Sequence, residues 1–198
     1  MKSQATLPEG YEEILSIDLQ KDKRLMLTVN GAAVLISVVM IVLGIILHPI
    51  KIFYHEQFLI RALMHLAIIG VGSVLYIILH EAVHGVFMRL FCRVKPRFGF
   101  TGLYAYAGSD AYYAKLPYII IALAPVVIWG VVLLALCLLF PDFFWAIYFI
   151  QITNISGAAG DLFVTAKFLR LPKDILVRDT GVSMTVYGTN VADGNAAE

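Results

Sequence analysis

Two histidines four residues apart, with a glutamate directly after the first, form the run His80-Glu81-Ala82-Val83-His84. On an α-helix, positions i and i+4 lie about 40° apart around the axis and share a face. Neutral imidazoles so placed can take one Zn²⁺. Glu81 lies to the side of that face, where its carboxylate can reach a water at the metal and take its proton. The run therefore reads as two metal ligands and a general base for hydrolysis on one helical turn. A two-histidine haem site would take its histidines from facing helices and would have no use for Glu81.

The element that carries this turn is apolar. The chain has 198 residues, of which 60% are hydrophobic and 15% charged. A soluble domain of this size is nearer half apolar and one quarter charged. Part of its solvent must therefore be lipid. The formal net charge of +1 gives no global pull toward nucleic acid, and none is expected as a partner. Four runs are long enough for the roughly 20 apolar residues that a membrane crossing needs: 25–47, 57–91, 116–140 and 143–168. The first lies behind a polar segment and is too long for the apolar part of a signal peptide. Three ionisable groups within five positions of such a helix are costly, and a bound metal would explain them.

Basic residues set the expected orientation. Lys2, Lys21, Lys23 and Arg24 precede the first helix. Arg89, Arg93, Lys95, Arg97 and Lys115 fall between the second and third, and Lys167, Arg170, Lys173 and Arg178 end the fourth or follow it. Only Lys51 and Arg61 fall on the opposite side. Positive charge stays cytoplasmic. The expectation is an all-α membrane protein of four transmembrane helices with both termini inside. It divides into a cytoplasmic segment 1–24, a membrane core 25–170 and a cytoplasmic tail 171–198. Segment 1–24 is expected along the membrane surface. A β-hairpin is expected at Phe98 to Tyr106, where aromatics alternate with small residues around glycines. A second is expected in the tail, with Ile175 to Val177 and Ser183 to Tyr187 flanking a turn at Asp179-Thr180-Gly181. The small polar stretch from Thr189 onward reads as disordered.

Catalytic zinc takes three protein ligands and leaves one position open. The third must lie at the depth of His80, about 23 residues or roughly 35 Å along the second helix. Asp161 lies about 18 residues or roughly 27 Å along the fourth, a difference that tilt can close. Asp142 and Glu56 fall on the wrong side, and Asp110 in the cytoplasmic loop is a weaker alternative. Asn154 lies seven residues before Asp161 on the same face, with Gly157 and Ala158 between them. Small residues let helices approach closely in a membrane. Asn154 is a candidate to donate to a substrate carbonyl or to hold a ligand in place.

With these residues the chain resembles the site-2 protease class of intramembrane metalloproteases. More closely it resembles a family of small prokaryotic membrane zincin peptidases. That resemblance runs through Pro8-Glu9-Gly10-Tyr11, His80 to Gly85, Phe98 to Tyr106, Ala124-Pro125, Asn154 to Leu162 and Val177 to Tyr187. It implies that His80, His84 and Asp161 hold Zn²⁺, that Glu81 is the general base, and that Asn154 belongs to the catalytic site. In site-2 proteases Gly commonly follows the Asp, and a Pro often follows the Asn; here Gly160 precedes Asp161 and that Pro is missing. The implied activity is a zinc metalloendopeptidase of a prokaryotic cytoplasmic membrane, cutting a membrane protein or peptide near the cytoplasmic face. A non-catalytic, zinc-stabilised chaperone or adaptor is the alternative. A metal transporter is disfavoured by the single polar cluster.

Other residues carry less. His48, His55 and His65 lie toward the outer side. His65 is roughly 22 Å from His80 along the helix and reads as a hydrogen-bonded membrane histidine. Asp179-Thr180-Gly181 spells an aspartic-protease tripeptide, but in so short a tail it is an ordinary turn. Cys92 and Cys137 read as buried thiols. Pro125 is expected to kink the third helix near the metal.

Overall fold

The computed structural model describes residues 2–18, 21–49, 58–102 and 104–189. Helices α1 (Lys23–Leu47), α2 (Phe58–Phe91) and α3 (Lys115–Leu139) are long and apolar enough to cross a membrane, with mean hydropathies of 2.6, 2.3 and 2.9 in their most apolar windows. Side chains along α1 such as Val34, Leu35 and Ile46 are exposed, which suits hydrocarbon as their solvent. The protein is mostly helical and membrane-integrated. The expected outer connection with His55 and Glu56, and the expected disordered end past residue 189, lie outside the described residues.

The fourth apolar run forms two helices. After a 3-10 turn at Pro141–Phe143 come α4 (Phe144–Gly157) and α5 (Ala159–Leu169), parted at Ala158. The run Ser156-Gly157-Ala158-Ala159-Gly160 supplies the weakness, because glycine is a poor helix former and Gly/Ser pairs are places where helices bend. A helix restarts at once, with the amide of Leu162 donating to the Ala158 carbonyl at 2.9 Å. Neither piece alone has the length of a membrane crossing.

Two small sheets accompany the helices. Strands β2 (Arg97–Phe100) and β3 (Ala105–Gly108) pair antiparallel, Phe98 opposite Ala107. The other sheet has four strands in the order β1-β6-β5-β4, all antiparallel. Its members are β1 (Tyr11–Ile17), β4 (Tyr112–Ala114), β5 (Leu176–Asp179) and β6 (Met184–Thr189). The tail hairpin expected around Asp179-Thr180-Gly181 is β5–β6. Gly181 has φ +86°, and its amide donates to the Asp179 carboxylate at 2.8 Å, so the tripeptide is a turn. Strands β1 and β4 were not anticipated. The N-terminal segment supplies the β1 edge against β6, with Gln4 bridging to Tyr112.

The chain resolves into two compact units. One comprises Leu27–His80 and Pro125–Phe163. Its core packs Tyr76, Leu133, Cys137, Ile147, Tyr148 and Ile150. Here Gly72 of α2 faces Ile150 of α4, where an added Cβ would meet the Ile150 Cδ1 at 2.6 Å. Gly130 of α3 brings its carbonyl within 3.3 Å of the Gln151 amide. Gly157 and Gly160 make no such approach, since a Cβ on either would meet open space. Ala158 and Ala159 between them are buried, so the glycine–alanine stretch packs through its alanines, while the closest glycine contacts of α4 lie one to two turns earlier.

The other unit comprises Met1–Met26, Glu81–Ala124 and Val164–Glu198 and holds both sheets. Ala111, Tyr113, Ile175, Leu176, Val177 and Val186 are fully buried there. The Lys115 ammonium donates to the carbonyls of Leu169 and Leu171 at 3.2 and 2.6 Å, closing the C-terminal end of α5 as basic side chains do. Asp110 is held by Arg97 and Arg178, each at 2.7 Å. The Arg178 hydrogen bond and then the Arg97 charge hold its carboxyl below the ordinary value of 3.8. A depressed carboxylate contributes stability that is present above its unfolded pKa and is lost as pH falls through the folded one. The melting-temperature difference between wild type and Asp110→Asn should therefore be small, as for exposed pairs. It should be present near neutrality and vanish as pH falls below 3.8. Thermal denaturation of both proteins across that range checks it.

Candidate metal centre

Helix α2 carries His80, Glu81 and His84 on successive parts of one turn. Among the described residues these three form the group whose potential ligand atoms all lie within 4.8 Å of one another. Both histidines are buried, at 8% and 9% exposure, and Glu81 is half-buried.

The ring of His84 is oriented by a backbone acceptor. Its Nδ1 lies 2.9 Å from the carbonyl oxygen of Ile121 on α3. A carbonyl only accepts, so His84 donates from Nδ1, and in the neutral ring Nε2 carries the lone pair. The sequence explains why that carbonyl is available to a side chain. In a helix, the carbonyl of residue 121 would receive the amide of residue 125. Residue 125 is proline and has no N–H. Pro125 lies inside α3 and is fully buried. The imidazole thus supplies the hydrogen that the helix lacks, as neighbouring groups do for proline-bearing helices in membranes.

Asp161 lies in the first turn of α5. Its Oδ2 is 3.8 Å from the Nε2 of His80, too long for a hydrogen bond. The break at Ala158 matters here. By restarting the helix it places Asp161 beside amide groups at a helix start, where the peptide dipoles favour negative charge. Asn154 is fully buried on α4, and its amide nitrogen donates to the Val126 carbonyl at 3.1 Å. Its oxygen accepts from the hydroxyl of Tyr76 at 3.0 Å, and that same hydroxyl lies 2.8 Å from the Nδ1 of His80. Tyr76 was not anticipated. The signal was present, because 76, 80 and 84 continue one four-residue ladder along a helix face.

The remaining polar candidates lie apart from this group. Asp110 belongs to the arginine trio. His65 donates to the Arg61 carbonyl of its own helix at 2.8 Å. His48 stacks on Phe144 with ring centroids 4.5 Å apart, and Asp142 lies in the 3-10 turn. Cys92 and Cys137 are buried and unbridged.

The donor set suits a metal ion. Two imidazoles and a glutamate sit on one turn, and one ring is held in the tautomer that ligands adopt, with its other nitrogen bonded to a carbonyl. The protein family described as "Putative zincin peptidase" matches residues 73–176, more than half of the chain. The chain belongs to this family. No curated protein and no solved structure matches it. The zincin-peptidase match begins just before Tyr76, contains Pro125, Asn154 and Asp161, and ends in β5. Membership in this family and the His–Glu–His turn together support a metal-dependent, membrane-associated hydrolytic function.

Proposed function

We propose that the protein is an intramembrane zinc endopeptidase, similar to site-2 proteases, that cleaves a membrane-associated protein or peptide near the cytoplasmic face. The observation that carries this reading is the His80–Glu81–His84 turn, buried in a helix of membrane-spanning length. His80, His84 and Asp161 would hold the ion. Two ligands of one tetrahedral zinc lie ~3.3 Å apart given bond lengths near 2 Å, so the 3.8 Å between His80 Nε2 and Asp161 Oδ2 is close to ligand spacing. When bound, zinc supplies Lewis-acid polarisation of the scissile carbonyl and of water.

The chain's own residues carry the proton. The Glu81 carboxylate takes a proton from water as the water oxygen bonds to the carbonyl carbon. It then delivers that proton to the amide nitrogen as the C–N bond breaks, leaving a carboxylic acid and an amine. A transmembrane substrate has its peptide groups in helical hydrogen bonds and must unwind locally before this attack. The β2 strand offers a place for the extended form by strand addition. Phe98 on that strand packs over Gly85, the residue after His84, and Phe98 and Phe100 remain exposed. The test is cleavage of a membrane-protein substrate in reconstituted vesicles by wild type and by Glu81→Gln. Equal cleavage by the two would overturn the proposal.

A further inference from the structure

We infer that Tyr76 and Asn154 form a hydrogen-bond relay that locks His80 in the tautomer needed to bind metal through Nε2. Both are positioning residues. The inference rests on the zinc reading above and adds to it a specific role for two groups that need touch neither metal nor substrate.

The relay has one direction, and a fixed acceptor sets it. The Val126 carbonyl can only accept, so the Asn154 group 3.1 Å from it is the NH₂. The Asn154 oxygen then points the other way, toward Tyr76, and it too can only accept. Tyr76 has one hydroxyl hydrogen, which this oxygen takes at 3.0 Å. What remains on the hydroxyl toward His80 is a lone pair. The 2.8 Å contact with Nδ1 is therefore a donation from His80 Nδ1–H. A neutral imidazole has one ring proton, so Nε2 carries the lone pair on the side where Asp161 Oδ2 lies 3.8 Å away. Reversing any link would set two donors or two acceptors against each other within a buried site, where an unmatched polar group is expensive.

The surrounding packing holds the relay still. Asn154 is fully buried and Tyr76 is 7% exposed. A Cβ on Gly130 would stand 3.6 Å from the Asn154 nitrogen, so α3 approaches that side chain closely. The ring of Tyr76 also meets Trp129 edge-on, with centroids 6.4 Å apart. Val126 follows Pro125 directly. One stretch of α3 thus supplies the acceptor for His84, at Ile121, and the anchor for the relay to His80, at Val126.

The experiment measures zinc affinity of the purified full chain by chelator competition, together with ¹⁵N histidine spectra of the metal-free protein. Tyr76→Phe removes one oxygen and leaves the ring. It should weaken zinc binding about 10–100-fold, the usual effect of losing an outer partner of a ligand. One histidine should shift from the Nδ1–H to the Nε2–H form. Asn154→Leu is nearly the same size and never touches His80. It frees the Tyr76 hydrogen to turn toward Nδ1 and should weaken binding to a similar degree, whereas a packing role would tolerate it. Wild-type affinity in both variants, or an unchanged tautomer, would overturn the relay. Absence of zinc binding by wild type would instead overturn the metal reading itself.

Discussion

Glu81→Gln should reduce peptide-bond hydrolysis by about 10²–10⁴-fold, the usual contribution of a positioned acid–base group, while bound zinc stays at the wild-type level. Glutamine keeps the size and hydrogen-bonding shape of glutamate but has no basic oxygen able to take a proton from water. Glu81 shares a turn with His80 and His84, whose potential ligand atoms lie within 4.8 Å of its own. The substitution therefore tests the proton step while leaving the two imidazoles in place. Vesicles containing the protein and a membrane substrate, with zinc measured in the same samples, separate the two effects. Full activity in the variant would overturn Glu81 as the general base, whereas zinc bound by wild type without any hydrolysis would point to the non-catalytic alternative, in which zinc only ties helices together.

Asp161→Ala should lose zinc altogether. The loss should exceed the ~10–100-fold cost of removing an outer partner, because in the proposed set it removes one of three ligands and the only anionic one among them. Two neutral imidazoles bring no charge to offset the ion's double positive charge, which would leave the Glu81 carboxylate alone to balance it, and charge inside a membrane is costly. In the proposed site Asp161 would offset part of it from the first turn of α5, where its Oδ2 lies 3.8 Å from His80 Nε2. Asp161→Asn keeps the size and removes the charge, so it should fall between wild type and alanine. Metal analysis after dialysis reads all three proteins. A stoichiometric zinc retained by Asp161→Ala would overturn the assignment.

The features legible in the sequence were those written in periodicity and residue type. The apolar runs became α1, α2 and α3, and the glycine-punctuated aromatics at 98–106 and the turn at 179–181 became hairpins. Strand β1 was hidden because its register shifts between Glu13 and Leu15, which breaks the alternation that marks a strand. Strand β4 has three residues and runs straight into α3, too short for any period to emerge. At the site, His80, Glu81 and His84 were visible because all lie on one turn. The approach of Asp161 to His80 followed from depth along two helices. The partners of the histidine rings were harder to foresee. One is a backbone carbonyl, which has no letter in the sequence, and the other works through a tyrosine that an apolar helix disguises as packing. Pro125 was expected to bend α3, and its missing amide turns out to matter for His84.

That missing amide affects how alanine substitution at this site should be interpreted. The Ile121 carbonyl has lost its i+4 helical donor to proline and accepts from the His84 ring. Removing the ring would take that donor from a buried residue, and an unmatched backbone group at membrane depth costs several kcal/mol. A His84→Ala protein would suffer two injuries, a vacant coordination position and an orphaned peptide group in α3. Its instability would be mistaken for the value of the metal. Chelation of the intact chain inflicts only the first injury, so the gap between the two treatments measures what a single proline has made the histidine responsible for.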